Sequence, residues 1–346
     1  MKRYFVVSLI LIFVVFFSAW LWSEPMPRRI EEEKQQDEEL PQELSDGEES
    51  EEKTEFIQTG EQDGARMLRV LIDGEVREMD MGTYLVGVVR SEMPASFEEE
   101  ALKAQAVAAR TYTLYKMQNG GSANHPDADT CDDIGCCKAY MDAAEAAEIW
   151  GAQAAEYEEK IRGAVTQTDG ECVLYEGQPA LTVFHSSSVG VTMDAQDVWS
   201  SAVPYLKSVE SPENVETVPN YHSSASFTPE ILKSLLLEAI PGADLSGSMS
   251  DWFSNMRQKE NGVVSALDVG GVEIRGSKLR EILGLRSACF TISFEDGRAV
   301  FSVTGYGHGV GMSQYGANVL ASGGMNYREI LAWYYSGTEV AIPLSA

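Results

Sequence analysis

The sequence predicts an α+β protein in which helices and antiparallel hairpins interleave, arranged as two lobes around a substrate groove. Three observations lead there. Asp73-Gly74, Glu176-Gly177 and Asp296-Gly297 each lie between two short runs of strand-forming residues, the pattern of hairpins closed by two-residue turns. Between these hairpins run longer stretches with apolar residues at helical spacing. The chain has 346 residues, of which 44% are hydrophobic, enough for one large core or two medium ones.

The N-terminus reads differently. Lys2 and Arg3 precede Tyr4 to Trp22, which carry no charge and match the ~17–25 residues that cross a bilayer. Ser18-Ala19-Trp20 is a poor cleavage site, and Trp20 and Trp22 suit an interfacial belt. Residues 1–23 are therefore expected to form a single-pass anchor with a cytoplasmic N-terminus and the rest of the chain outside the cytoplasm. From Glu24 to Asp63 there are 16 acidic and 4 basic residues, so 16 − 4 = 12 of the 28 net negative charges fall here. Such a segment buries too little apolar surface to offset its chain entropy, and residues 24–64 read as a disordered acidic tether. Residues 65–346 then form an extracytoplasmic catalytic domain. A net charge of −28 argues against nucleic acid, whose phosphates need a basic surface.

Taken in order, Met67–Ile72 and Glu75–Met79 form the first hairpin. Gly82–Arg90 is a short buried helix. Pro94 fixes its own φ and pushes Met93 out of the helical region, so that helix ends beside Glu92 in a Ser-Glu-Met-Pro elbow. Ser96 and Glu99 form a capping box that starts the next helix at Ser96 and carries it to Met117. Its alanines allow close packing at the centre of the fold. A carboxyl on a proline-stiffened turn between two helix ends is firmly placed, and Glu92 is the leading catalytic candidate. Lys103 and Arg110 share a stripe of the long helix and can face the elbow, although Lys103 also has Glu99 at i−4 as a plain ion-pair partner.

Asn119–Tyr140 is a turn-rich loop with His125, Cys131, Cys136 and Cys137. Two chemistries fit it. Outside the cytoplasm, Cys131 would bridge to one of the vicinal pair. Alternatively His125, Cys131 and Cys137, six residues apart each, supply one imidazole and two thiolates for Zn²⁺, with a fourth position open or filled from elsewhere. A single helix then spans Asp142–Val165, strands follow at Glu171–Tyr175 and Ala180–His185, and a polar loop leads to Trp199. Pro229 opens a helix that stops at Pro241-Gly242. Gly276–Leu285 is helical, and Cys289–Phe294 pairs with Arg298–Val303. In Gly305–Ala317, GYGHGVGMSQYGA, five glycines require unusual backbone angles or very close approach, with Ser313 capping a helix from Gln314.

Together, YLVGVVRSEMP, EALKAQAVAARTYTL, FHSSSVGVT with Trp199, and GHGVGMSQYGA resemble the stage II sporulation protein D family, from about Leu68 to the C-terminus. One departure is Val189, where many relatives have glycine. The resemblance implies a peptidoglycan lytic transglycosylase that cuts glycan strands stripped of stem peptides during sporulation engulfment. It implies stage II sporulation proteins P (an amidase) and M as partners, and the engulfing membrane of the mother cell as location. The family's catalytic glutamate falls on Glu92, and the zinc site of some members falls on His125, Cys131 and Cys137. Lys103, Arg110, His308, Gln314 and Tyr315 are expected to line the sugar groove. Two competing functions are a zinc-dependent wall peptidase or amidase built on the His/Cys loop, and a non-catalytic glycan-binding scaffold.

Overall fold

The computed structural model describes residues 59–121, 124–199 and 201–343. The expected anchor at residues 1–23, and residues 24–58 of the expected tether, lie outside the described residues. Among those described, no helix is long and apolar enough to cross a membrane. That finding overturns the single-pass membrane localisation read from the sequence.

The last residues assigned to the tether are folded. Helix α1 (Glu61–Gly64) has its first amides on Asp169, which accepts from Gln62 at 2.9 Å and Asp63 at 2.8 Å. Asp63 is buried and accepts from the Arg110 guanidinium at 2.6, 2.8 and 3.1 Å, while Arg110 also donates to the Glu171 carbonyl at 3.0 Å. Removing one member of such a pair strands the other charge in a dry site. Asp63→Ala is therefore expected to cost about 3–5 kcal/mol in urea unfolding, and a loss below about 1 kcal/mol would place this ion pair with weak surface pairs instead.

Strands β1 (Met67–Ile72) and β2 (Glu75–Asp80) form the expected hairpin. Asp73 at φ 52° and Gly74 at φ 83° are both left-handed, as this turn requires. Helix α2 (Met81–Glu92) is capped by the Asp80 carboxylate, which accepts from the Thr83 amide. It is buried on nearly every face and stops at Met93, whose φ of −134° is the extended conformation that Pro94 imposes. Helix α3 (Glu99–Gln118) begins three residues later than the Ser96 capping box predicts. Its N-cap residue, Glu98, makes no side-chain capping bond, and the Glu98 amide donates across the fold to Asn318 at 2.7 Å. Ala101, Ala104, Ala106, Ala108 and Ala109 are fully buried, so α3 is the central element on which neighbouring helices pack.

Strand β3 (Thr130–Cys131) adds to β1 in parallel, which draws the His/Cys loop back onto the first sheet. The helix expected over Asp142–Val165 is two, α4 (Ala143–Trp150) and α5 (Ala154–Thr166), separated at Gly151, whose φ of 54° ends the first. Strands β4 (Cys172–Tyr175) and β5 (Gln178–Pro179) pair, followed by the two-residue β6 (Phe184–His185) and α6 (Ala195–Trp199).

A second lobe follows, with its own core around Leu232, Leu236, Leu267, Leu279, Phe290 and Phe301. It comprises β7 (His222–Phe227), α7 (Pro229–Ala239), β8 (Phe253–Gln258), β9 (Val264–Val269), β10 (Val272–Arg275), α8 (Gly276–Leu283), β11 (Phe290–Glu295) and β12 (Arg298–Thr304). Two three-stranded antiparallel sheets result, β10-β9-β8 and β11-β12-β7. The chain then returns to the first lobe through β13 (Met312–Ser313), α9 (Gln314–Ser322), α10 (Tyr327–Tyr334) and β14 (Glu339–Ala341). β13 lies parallel to β6 and β14 antiparallel to β4. Mixed helices and antiparallel sheets in two cores agree with the predicted fold class.

Candidate functional site

Glu92 sits at the C-terminal end of α2, and that end is fixed from behind by Arg90, which is buried and forms a two-pronged ion pair with Glu158. On the other side, the Gln314 amide donates to the Glu92 carbonyl at 2.8 Å and approaches Gln105 Oε1 at 3.4 Å. Burial raises the Glu92 carboxyl above its ordinary value, against the opposing pull of Lys138, the Ala139 amide and Gln314. No carboxylate is among these groups.

The cation facing Glu92 is Lys138, whose ammonium lies 4.2 Å from the Tyr112 ring centre and 3.7 Å from that of Phe184. Rings on two sides hold a cation by its charge and exclude water from it. Burial pushes Lys138 down to about 8, although Glu92 favours its charged form. Next comes His308, with its ring centre 5.6 Å from His185 and 5.2 Å from Trp199. The Val310 amide donates to His308 Nδ1 at 3.1 Å, so the ring proton sits on Nε2. Burial, together with His185, Lys138 and Arg280, depresses His308 well below an ordinary histidine and leaves it neutral. His185 is likewise neutral, lowered to about 4 by burial, and faces the Val310 carbonyl through Nδ1.

Two of the motifs meet on a carboxylate that sequence reasoning missed. Glu213 accepts from the Ser188 amide and hydroxyl, both at 2.7 Å, and from the hydroxyls of Ser211 and Ser313. Burial alone would raise it, but these donors outweigh burial and hold it below the ordinary range. It pins the HSSSVGVT loop to the N-cap of α9. The glycine run behaves as expected. At Gly311 φ is +71°, and a Cβ there would lie 2.1 Å from the Val183 carbonyl oxygen. At Gly316 a Cβ would lie 2.2 Å from the Tyr334 hydroxyl. Gly311→Ala has both a forbidden angle and a backbone collision, and should cost about 3 kcal/mol or more, read as a lowered urea midpoint. A variant with an unchanged midpoint would remove that explanation of the motif.

Of the expected groove residues, Gln314 touches Glu92, and Tyr315 packs edge-on to Phe97 of the elbow turn at 4.9 Å. His308 stands in the field of Lys138, against His185 and Trp199. The structure does not bring Lys103 or Arg110 to Glu92. Lys103 is held by Glu99 at 3.0 Å and Glu100 at 2.8 Å, the plain pairing weighed for it, and Arg110 is sealed against Asp63.

In the adjacent loop, His125, Cys131, Cys136 and Cys137 converge, with their donor atoms all within 4.8 Å of one another. The cysteines are thiols, not disulfides. His125 Nε2 is 3.2 Å from Cys137 Sγ, and the Cys136 and Cys137 sulfurs are 3.8 Å apart. These separations are close to the edges of a tetrahedron with legs of about 2.0–2.3 Å. His125 Nδ1 donates to the Ala128 carbonyl at 3.0 Å, which turns the Nε2 lone pair toward the sulfurs. Lys116 adds positive charge 3.5 Å from Cys137 Sγ. The group can hold a metal ion. Cys136 offers a fourth donor atom for the position that the sequence left open or to be filled from elsewhere.

Comparison with known proteins places the chain among sporulation proteins. A family model described as "Stage II sporulation protein" matches residues 73–175. The chain is 36% identical over 266 residues to the stage II sporulation protein D of Bacillus subtilis (strain 168), covering 77% of this chain and 76% of that one. It is 36% identical over 267 residues to the protein of that name from Bacillus amyloliquefaciens, covering 77% and 75%. To the amidase enhancer of Bacillus subtilis (strain 168) it is 30% identical over 303 residues, covering 74% of this chain and 40% of that protein.

Proposed function

The chain belongs to the stage II sporulation protein D family, and on that premise we propose that this sporulation protein is a peptidoglycan lytic transglycosylase with Glu92 as its single acid and base. One observation carries the reading: a buried carboxyl of raised affinity for its proton, on which Lys138, the Ala139 amide and Gln314 act and, among the described residues, no carboxylate does. Glycoside hydrolases use a second carboxylate about 5–10 Å away to capture the sugar or activate water. A lytic transglycosylase needs none. Protonated Glu92 gives its proton to the glycosidic oxygen as the bond from that oxygen to the muramic acid C1 breaks. The resulting carboxylate takes the proton of that sugar's 6-hydroxyl as the oxygen bonds to C1. The product is a 1,6-anhydro ring, no water is consumed, and Glu92 ends protonated. Lys138 stabilises the carboxylate between the two transfers.

The substrate is the glycan strand after removal of its stem peptides, which makes an amidase, stage II sporulation protein P, the natural preceding partner, with stage II sporulation protein M in the same assembly. The reading is tested by incubating the protein with such strands. Anhydro-muramic ends support it, whereas reducing ends would mean a hydrolase and binding without products a scaffold.

The pH dependence has a definite sign. The proton-donating form is lost as pH rises through the raised Glu92 value, so cleavage should have a basic limb above the ~4.3 of an ordinary glutamate. A basic midpoint at that ordinary value would sink the proposed role of burial.

We propose Zn²⁺ for the His125, Cys131, Cys136 and Cys137 cluster. Bound there, it would cross-link a turn-rich loop and contribute folding energy. Four protein donors close the site, which fits a brace and disfavours a zinc peptidase, whose metal keeps a position for water.

A further inference from the structure

Beside His308, facing the second lobe, lies a cavity of about 70 Å³ lined by Met193, Trp199, Lys259, Val263 and Arg280. At roughly 10–15 Å³ for each water-sized position, it holds about five such groups. Its floor is apolar, Trp199 is 40% exposed at its edge, and its polar groups are unequal in their partners. The two carboxylates at the cavity are paired with lysines, Asp197 with Lys259 and Glu281 with Lys278 at 3.7 Å. Arg280 has no ion-pair partner among the described residues. Its Nε donates to the Arg286 carbonyl at 3.2 Å, which leaves the terminal nitrogens for something else. An unpaired, half-buried guanidinium costs desolvation that surrounding protein does not offset, and its fork matches a carboxylate. Such a group is unexpected in a chain of net charge −28 unless an anion comes to it.

We infer that Arg280 binds the free lactyl carboxylate of a muramic acid residue, making this site selective for glycan from which the peptide has been removed. The inference rests on the proposed action on glycan strands. Where the stem peptide is attached, that carbon is an amide, neutral and bulky. Once the peptide is gone, it is a carboxylate small enough for the cavity, carried on a sugar whose face can lie on Trp199. His308 joins the cavity to the elbow, because it lines the former and stands in the field of Lys138, which faces Glu92.

The test uses binding, so that it does not depend on cleavage. In the Glu92→Gln protein, dissociation constants are measured for peptide-free glycan oligomers and for the same oligomers with their carboxylates converted to methylamides. The free-carboxylate oligomer should bind about ten- to a hundredfold more tightly, the range of a charge-assisted pair. Adding Arg280→Gln should abolish that preference, and Arg280→Lys should restore part of it. Arg257→Gln, which removes an exposed arginine of the same lobe held by Glu273 at 2.7 Å, should leave it intact. Thermal melting of each variant checks that the fold survives. If the preference persists in Arg280→Gln, or is absent from the start, the Arg280 assignment is wrong while glycan binding stands. If neither oligomer binds, the glycan reading itself fails and takes this inference with it.

Discussion

Glu92→Gln is expected to leave a folded protein that still binds glycan strands and cuts them about 10²–10⁴ times more slowly, the contribution of a positioned acid–base group. Glutamine keeps the shape and the contact of Gln314 with the backbone of residue 92 but has no proton to give. A stability measurement accompanies the kinetic one. The folded Glu92 has a raised pKa, so its protonated form favours the fold, and that contribution is lost as pH rises from the ordinary carboxyl value through the raised one. At pH 7 the wild type therefore carries the cost of a buried carboxylate and the Gln variant does not. The variant should be at least as stable as wild type at pH 7, with no advantage at pH 4. An inactive variant that is also less stable at pH 7 would mean that Glu92 holds the elbow together instead of doing chemistry there. Retained cleavage would remove Glu92 from the mechanism.

The second large effect is expected at the His/Cys cluster. Cys136→Ser deletes one of four converging donors, and loss of a structural metal belongs with the rare changes that cost more than about 4 kcal/mol. For a domain of this size, 1 kcal/mol moves the melting temperature by roughly 2–4 °C, so a fall of about 8–16 °C is expected, and a chelator should produce a similar fall in the wild type. Metal analysis should find zinc in the wild type and little in Cys136→Ser and Cys131→Ser. Full zinc content in the Cys136→Ser protein would return the fourth position to another ligand.

Legibility in the sequence followed how local the cause was. The elbow was readable because Pro94 acts on its immediate neighbour, and the first hairpin because Asp73 and Gly74 supply the turn angles themselves. The glycine run was readable for the same reason. The start of α3 was not, because a distant amide acceptor, Asn318, outweighs the local capping box at Ser96. Arg110 was misplaced because its partner Asp63 lies in a stretch whose composition signals disorder, and nothing local reports an ion pair across 47 positions. Cys136 was set aside as one of a vicinal pair, yet the turn at residues 133–137 lets both sulfurs face His125. Lys138 and Glu213 carried no motif. Each is defined by rings or hydroxyls that come from other segments, although a lysine directly after a cysteine pair, in the loop leading away from α3, was a signal that could have been weighed. The meander of β8, β9 and β10 was missed because its strands are half-exposed and weakly patterned.

The parallel pairing of Phe184-His185 with Met312-Ser313 has a consequence for the order in which the site is assembled. Glu92 is in place once the first third of the chain has been made, but His308 and Gln314 come from the last 40 residues, with the whole second lobe synthesised between. Contacts so distant in sequence form late, after the entropy of a long loop has been overcome. A chain still being synthesised, or one clipped before residue 305, would carry Glu92 without the Gln314 contact to its backbone. Under the proposed function, the site would be complete only when the final segment has folded back onto the first.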